Sequence, residues 1–190
     1  IEHQTGNLVE IELKFPHRIH IGIVWSDKVQ LEIEMPKDGN ANLRTGDGSV
    51  KVSGLKGILD IDTGDGSVEI DAVDGELRAH TGDGHIFANG RFDDLKLRTG
   101  DGKIEATANV NSKITSSWEI QTSDGSVTLR VPDSLAADVE LHTGDGSIKL
   151  DVPVATTGHF RSNTVSGKIN GGGHPLTIHT GDGSIRLARS

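Results

Sequence analysis

A tetrapeptide recurs along this chain and restricts what it can fold into. Thr-Gly-Asp-Gly starts at Thr45, Thr63, Thr81, Thr99, Thr143 and Thr180, and Thr122-Ser123-Asp124-Gly125 and Thr164-Val165-Ser166-Gly167 are degenerate copies. The first three intervals are 18 residues, and the later ones are 23, 21, 21 and 16. A period of this length marks stacked repeats, because one unit is too small to bury an apolar face alone.

Each repeat holds two alternating segments. The fifth residue after the Thr is Val50, Val68, Ile86, Ile104, Val127, Ile148, Ile169 or Ile185, with Val52, Ile70, Leu129 or Leu187 two further on. Before the Thr, Leu43, Ile61, Leu97, Ile120, Leu141 and Ile178 stand at −2, and Leu59, Leu77, Leu95, Trp118, Val139, Phe160 and Leu176 at −4. A period of two is that of a half-buried β-strand. The expected fold is all-β: a β-solenoid, parallel β-helix-like, with about two short strands per 18–23-residue coil. Its two sheets would face each other at about 10 Å, with strands about 4.8 Å apart. An antiparallel meander gives the same alternation, but the regular spacing provides no longer crossovers to split it into two sheets.

The composition suits a thin core. Only 33% of the chain is hydrophobic and 25 residues are Gly, so four inward side chains per coil and Gly-rich turns account for both. The net charge of −9 opposes binding to nucleic acid, whose phosphates it repels. With 2 Trp, 4 Phe and no Tyr there is little material for base-stacking platforms. The absence of Cys excludes disulfides, Cys-ligated metals and cysteine catalysis. No signal-like leader opens the sequence, and an apolar stretch such as residues 21–25 is far too short to be a transmembrane segment.

Residues 1–40 lack the tetrad but alternate over 8–13, 19–25 and 29–34, which reads as irregular first coils or a cap. Residues 41–190 read as one continuous solenoid. Its last coil, ending at Ser190, is expected to be uncovered, and an open sheet edge is a template for another chain. Head-to-tail self-assembly into a filament follows from that expectation.

Within the tetrad, the second Gly is invariant across the eight copies, which implies a positive φ or a crowded stacked turn. The first Gly gives way to Ser123 and Val165, which implies a negative φ. The Thr hydroxyl suits turn amides at a sheet corner. All three positions are explained by folding. Asp47, Asp65, Asp83, Asp101, Asp124, Asp145 and Asp182 are different, since stacking would place them about 5 Å apart. Like charges at that spacing repel by about 1 kcal/mol in water and about 3 at an effective dielectric near 20. Three roles fit: each carboxylate accepts its own turn amides, the row binds Ca²⁺, or two neighbours form an acid/base pair. The Ca²⁺ repeat G-G-x-G-x-D-x-U-x places its Asp differently, three residues later than here.

His80, His142 and His179 share position −1 with Arg44, Asp62, Arg98 and Gln121, as expected for an outward mixed polar ladder. Trp118 and Phe160 read as core filling where later coils lengthen, while Trp25 fits either core or contact surface. No G-x-S-x-G, H-E-x-x-H or G-x-x-x-x-G-K-[ST] motif occurs.

The stretch NLRTGDGSVKVSGLKGILDIDTGDGSVEIDAVDGELRAHTGDG, and the pattern over roughly residues 29–189, resembles the bacterial DUF4097 family, which carries an adhesin label. The resemblance implies a β-solenoid-like domain, extracytoplasmic (secreted, periplasmic or at the cell surface), without established enzymatic activity or defined functional residues. The expected function is a non-catalytic, adhesin-like scaffold that binds a cell-surface ligand. The alternatives are a filament subunit and a polysaccharide-active enzyme, since stacked-coil folds can host such sites.

Overall fold

The computed structural model describes residues 2–5, 8–11, 30–156 and 163–190. The chain forms two compact units, Ile1–Glu34 and Met35–Ser190. In the first, β1 (Glu2–Thr5) and β2 (Leu8–Ile11) form an antiparallel hairpin. The alternation over 29–34 makes no strand in its described part, 30–34, because no described strand lies alongside to complete a ladder. Residues 19–25, with Trp25, lie outside the described residues.

The second unit is the solenoid. Coil one is β3 (Ala41–Thr45) and β4 (Val50–Ser53). Next come β5 (Lys56–Thr63), β6 (Val68–Thr81) and β7 (Ile86–Arg98), and the two long strands each close one coil and open the next. Coil four ends in β8 (Ile104–Ala108), and coil five is β9 (Trp118–Thr122) and β10 (Val127–Val131). Strands before the tetrad stack in one parallel ladder and strands after it in a second, with tetrads in register, as in Thr45↔Thr63 and Thr63↔Thr81. Inward Leu, Ile and Val side chains of coils two to five are buried, while Ala41, Leu43, Val50 and Val52 of coil one are half-buried. Each full burial of such a side chain is worth about 1.5–3 kcal/mol.

Beyond coil five the stacking leaves sequence order. β11 (Ala137–Thr143) and β12 (Ile148–Leu150) form coil six, and β13 (Ala155–Thr156) and β14 (Thr164–Ile169) follow. The last coil is β15 (Pro175–Thr180) and β16 (Ile185–Arg189). It does not lie at the end of the stack. β15 runs parallel between β9 and β11, and β16 parallel between β10 and β12. The far side of β11 is covered by β14, which runs antiparallel and pairs in turn with β13.

Two expectations are thereby corrected. The C-terminal coil is interior and paired on both sides, so it is not the end of the stack; among the described residues the edge strand of the second ladder there is β12, paired only with β16. The copy starting at Thr164 is not a turn but part of the antiparallel strand β14. This copy has Val165 and Ser166 where the regular tetrads have Gly and Asp. At the equivalent first Gly of other tetrads, a Cβ would lie 2.6–2.7 Å from a carbonyl oxygen of the neighbouring coil (Gly64, Gly82, Gly100, Gly144). Ser123 is accommodated there with both its own amide and that of Asp124 bonded to the Gly100 carbonyl, at 2.7 and 3.3 Å. Phe160, expected in the core, lies outside the described residues.

Opposite the tetrads, coils turn at a second corner. Ala72 takes φ 53° and Gly75 φ 138°, and the β6–β7 register shifts between Ile70 and Val73 and between Gly75 and Glu76. Gly75 faces Phe92 across this register, and the ring is fully buried, edge-on to Trp118 at 6.5 Å. Trp118 is thus core filling as expected, its indole nitrogen donating to the Asp93 carbonyl at 3.4 Å.

Candidate functional site

The tetrad corner is built by Thr and Gly acting across coils. Each buried Thr hydroxyl donates to carbonyls of the coil beneath. Thr99 Oγ1 lies 3.2 Å from Gly82 O and 2.9 Å from Gly84 O, and Thr122 Oγ1 2.9 Å from Gly100 O and 3.1 Å from Gly102 O. The same oxygen accepts the second Gly's amide in its own turn, from Gly102 at 3.3 Å and Gly125 at 3.1 Å. The bonds follow the spatial order of coils: Thr180 reaches Gly125 at 2.8 Å, and Thr143 reaches Gly183 at 2.7 Å. Of the two reasons expected for the second Gly, crowding is the right one. None of these glycines has positive φ, but a Cβ on Gly66, Gly84, Gly102, Gly125, Gly146 or Gly183 would collide with a carbonyl of the adjacent coil.

The structure brings Asp47, Asp65, Asp83, Asp101, Asp124, Asp182 and Asp145 into one exposed row, in that spatial order. Each contributes a single carboxylate. Among the described residues none of these seven side chains accepts a hydrogen bond, because the Thr hydroxyls and neighbouring carbonyls already take the turn amides. The carboxylates therefore do not cap their own turns. Asp65 and Asp83 lean instead toward the first Gly of the next coil. Among the described residues no three Asp, Glu or His side chains are grouped to hold a metal ion. The row is a line of separate charges rather than a cage.

A better-formed surface lies on the outward face of the first ladder. At position −1, Arg44, Asp62, His80, Arg98, Gln121, His179 and His142 stand side by side in that order. Position −3 adds a parallel column that includes Asp60, Arg78, Lys96 and Glu119. The columns line a shallow groove of about 380 Å³. A second open hollow, about 650 Å³, runs from Arg44, Asp62 and His80 around to Asp65 at the tetrad corner. Arg44, Arg78, Lys96 and Arg98 outnumber Asp60, Asp62 and Glu119 in the groove, on a chain whose net charge is −9. Among the described residues Arg44, Lys96 and Arg98 form no ion pair; Arg98 donates to the neutral Gln121 side chain. Such cations keep donors free for an acceptor from outside.

The expected polar ladder at −1 is therefore real, and the inserted coil adds a feature to it. His142 and His179 are stacked, with ring centroids 5.1 Å apart and planes within 9°, and His142 Nδ1 lies 3.0 Å from Thr164 Oγ1. Sequence reasoning missed the −3 column, although its alternation with −4 and −2 marks it as outward. It also missed the ion cluster at the second corner, where the extra residue of the bulge matters. Arg91 there holds Asp93 in a two-bond fork at 2.7 and 2.8 Å and also bonds Asp74. The guanidinium draws the Asp93 carboxyl below the usual carboxylate range, and Asp93 in turn raises Arg91.

No curated protein and no solved structure matches the chain. The family profile described as Toastrack DUF4097 matches residues 26–188, which contain every tetrad, both ladders and the antiparallel cover. On that match, the chain belongs to the Toastrack DUF4097 family.

Proposed function

We propose that this protein is a non-catalytic, extracytoplasmic β-solenoid that serves as a cell-surface, adhesin-like scaffold and binds its ligand on the outward face of the first ladder. One observation carries this reading: a two-column polar face, held at strand spacing by a continuous hydrogen-bonded ladder, concentrates Arg44, Lys96 and Arg98 without carboxylate partners among the described residues. An array of this kind suits an extended ligand touched at several points, since the backbone ladder fixes the spacing of its side chains before binding. The groove is shallow and open, which fits a polymer lying across strands better than an enclosed small substrate.

The test is retention on isolated bacterial envelope polysaccharides, acidic and neutral, measured for the wild-type chain and for Arg78→Glu/Arg98→Glu. Lys149→Glu, on the other ladder, is the control. Retention of the wild type, lost in the double variant and kept in the control, supports the proposal. Equal retention of all three contradicts the assignment of the face, and depolymerisation of any glycan contradicts the non-catalytic reading.

A further inference from the structure

The displaced last coil has a consequence for assembly. Residues 175–189 fill a slot whose walls come earlier in the sequence: β9 and β10 on one side, β11 and β12 on the other. What the slot reads is the repeat itself. Thr180 donates to Gly125 O at 2.8 Å, Gly183 N bonds Thr180 Oγ1 at 3.2 Å, and Ile185 and Leu187 enter the core beside Val127 and Leu129. These are the contacts that Thr99 and Ile104 make one coil after another in the regular stack. Nothing in them depends on the inserted coil belonging to the same chain. An emptied slot would expose four strand edges, each a strong template for strand addition.

The connection to this coil is suited to reorganisation. Residues 170–174, Asn-Gly-Gly-Gly-His, carry the chain around the start of β11, from β14 on one side to β15 on the other. Asn170, Gly171 and Gly172 take φ of 48°, 88° and 90°. Asn170 Nδ2 donates to Asp133 O and Leu135 O at 2.7 and 2.8 Å, which holds the hinge in its closed path.

We propose that the slot between coils five and six is an exchange site for residues 175–189 of a second copy of this chain, so that two copies interlock by swapping this coil. The swap reproduces the ladder and core contacts of the inserted coil, so the two forms differ mainly in hinge conformation and the entropy of association. Exchange is slow in the native state, because the coil must leave both ladders. It is set instead during folding at high protein concentration.

The natural chain has no Cys, which makes cross-linking unambiguous. Glu119 and Thr177 are register partners across the slot wall, and Arg78 and Lys96 are equivalent partners in coils that do not exchange. Glu119→Cys and Thr177→Cys full-length chains are unfolded together, refolded as a concentrated mixture and oxidised, and Arg78→Cys with Lys96→Cys is treated identically. The expected result is disulfide-linked heterodimer about ten times more abundant in the first mixture. The double variant Glu119→Cys/Thr177→Cys, oxidised as a monomer beforehand, stays monomeric. Heterodimer no more abundant than in the control mixture overturns the proposal, as does a dimer formed by the locked variant. A cysteine-free check refolds isotope-labelled and unlabelled wild-type chains together for native mass spectrometry. Mixed dimers support exchange, and monomers alone overturn it.

Discussion

Coils one to five and the segment that follows them use the same tetrad with different outcomes. From residue 41 to 131 each coil stacks on its predecessor, and sequence order is spatial order. From 137 to 189 the same bonds form between coils far apart in sequence, with Thr143 bonded to Gly183 and Thr180 to Gly125. The local code is therefore indifferent to neighbour identity. It specifies that a tetrad sits on a tetrad, and leaves which one to the connections. A structural repeat of this type is stabilised by nearest-neighbour interfaces, and an interface can be closed by any coil that presents the right edge.

The largest effect is expected where the longer coil of the regular region is filled. Trp118→Ala removes a fully buried indole and leaves Phe92 without its edge-on partner, for a loss of about 3–5 kcal/mol by denaturant unfolding. Next are the stacked glycines, which sharpen the comparison between regions. Gly102→Ala in the regular stack and Gly183→Ala in the inserted coil each drive a Cβ into a neighbouring carbonyl, so each should cost about 3 kcal/mol. Gly48→Ala in coil one meets only the Thr45 side chain and should cost less than half as much. If Gly183→Ala behaves like Gly48→Ala, the inserted coil is not stacked on Gly125.

Smaller losses follow from the hydroxyl ladder. Thr99→Val and Thr180→Val each leave a buried amide and carbonyl without a partner, a cost of about 1–3 kcal/mol, whereas half-buried Thr45→Val is near neutral. The second corner gives a pH signature. Asp93 is held below its ordinary value of 3.8 in the folded protein, so the stability it contributes is full above that pH and is lost as pH falls through its folded value. Asp93→Asn should therefore flatten the decline in melting temperature below about pH 4 while lowering stability at neutral pH. The smallest effect belongs to the exposed row. Asp83→Asn removes one like charge from the line and should raise stability by at most about 1 kcal/mol, less at high salt.

The period-two alternation and the tetrad register made the strands, the ladders and the core columns legible, down to Trp118. They did so because burial and turn crowding act within one or two coils, the range over which a repeat can be read directly. The order of the last coils was not legible, since identical tetrads make identical edges. Of the three roles that fit the Asp row in the sequence, capping of its own turn is the one the structure does not show, for a related reason. A turn Asp ordinarily accepts its own turn's amides, but here the neighbouring coil supplies carbonyls and Thr hydroxyls at the same positions. The polar face was half legible: the −1 column was visible as a list of residues, whereas its company with Arg78 and Lys96 required the register of β6 on β7.

The C-terminal coil separates coil five from coil six, and the insertion, the slot and the stacking order all rest on this placement. Three double-cysteine variants in the natural cysteine-free background test it: Glu119→Cys/Thr177→Cys, Glu140→Cys/Thr177→Cys and Glu119→Cys/Glu140→Cys. Disulfides require Cα atoms about 4.4–6.8 Å apart, which adjacent strands satisfy and strands two places apart do not. Glu119 and Glu140 both flank Thr177, on opposite sides. Intrachain disulfides are expected in the first two variants of the monomer and none in the third. A ready Glu119→Cys/Glu140→Cys disulfide, with none to position 177, would show that the coils stack in sequence order and would contradict this placement.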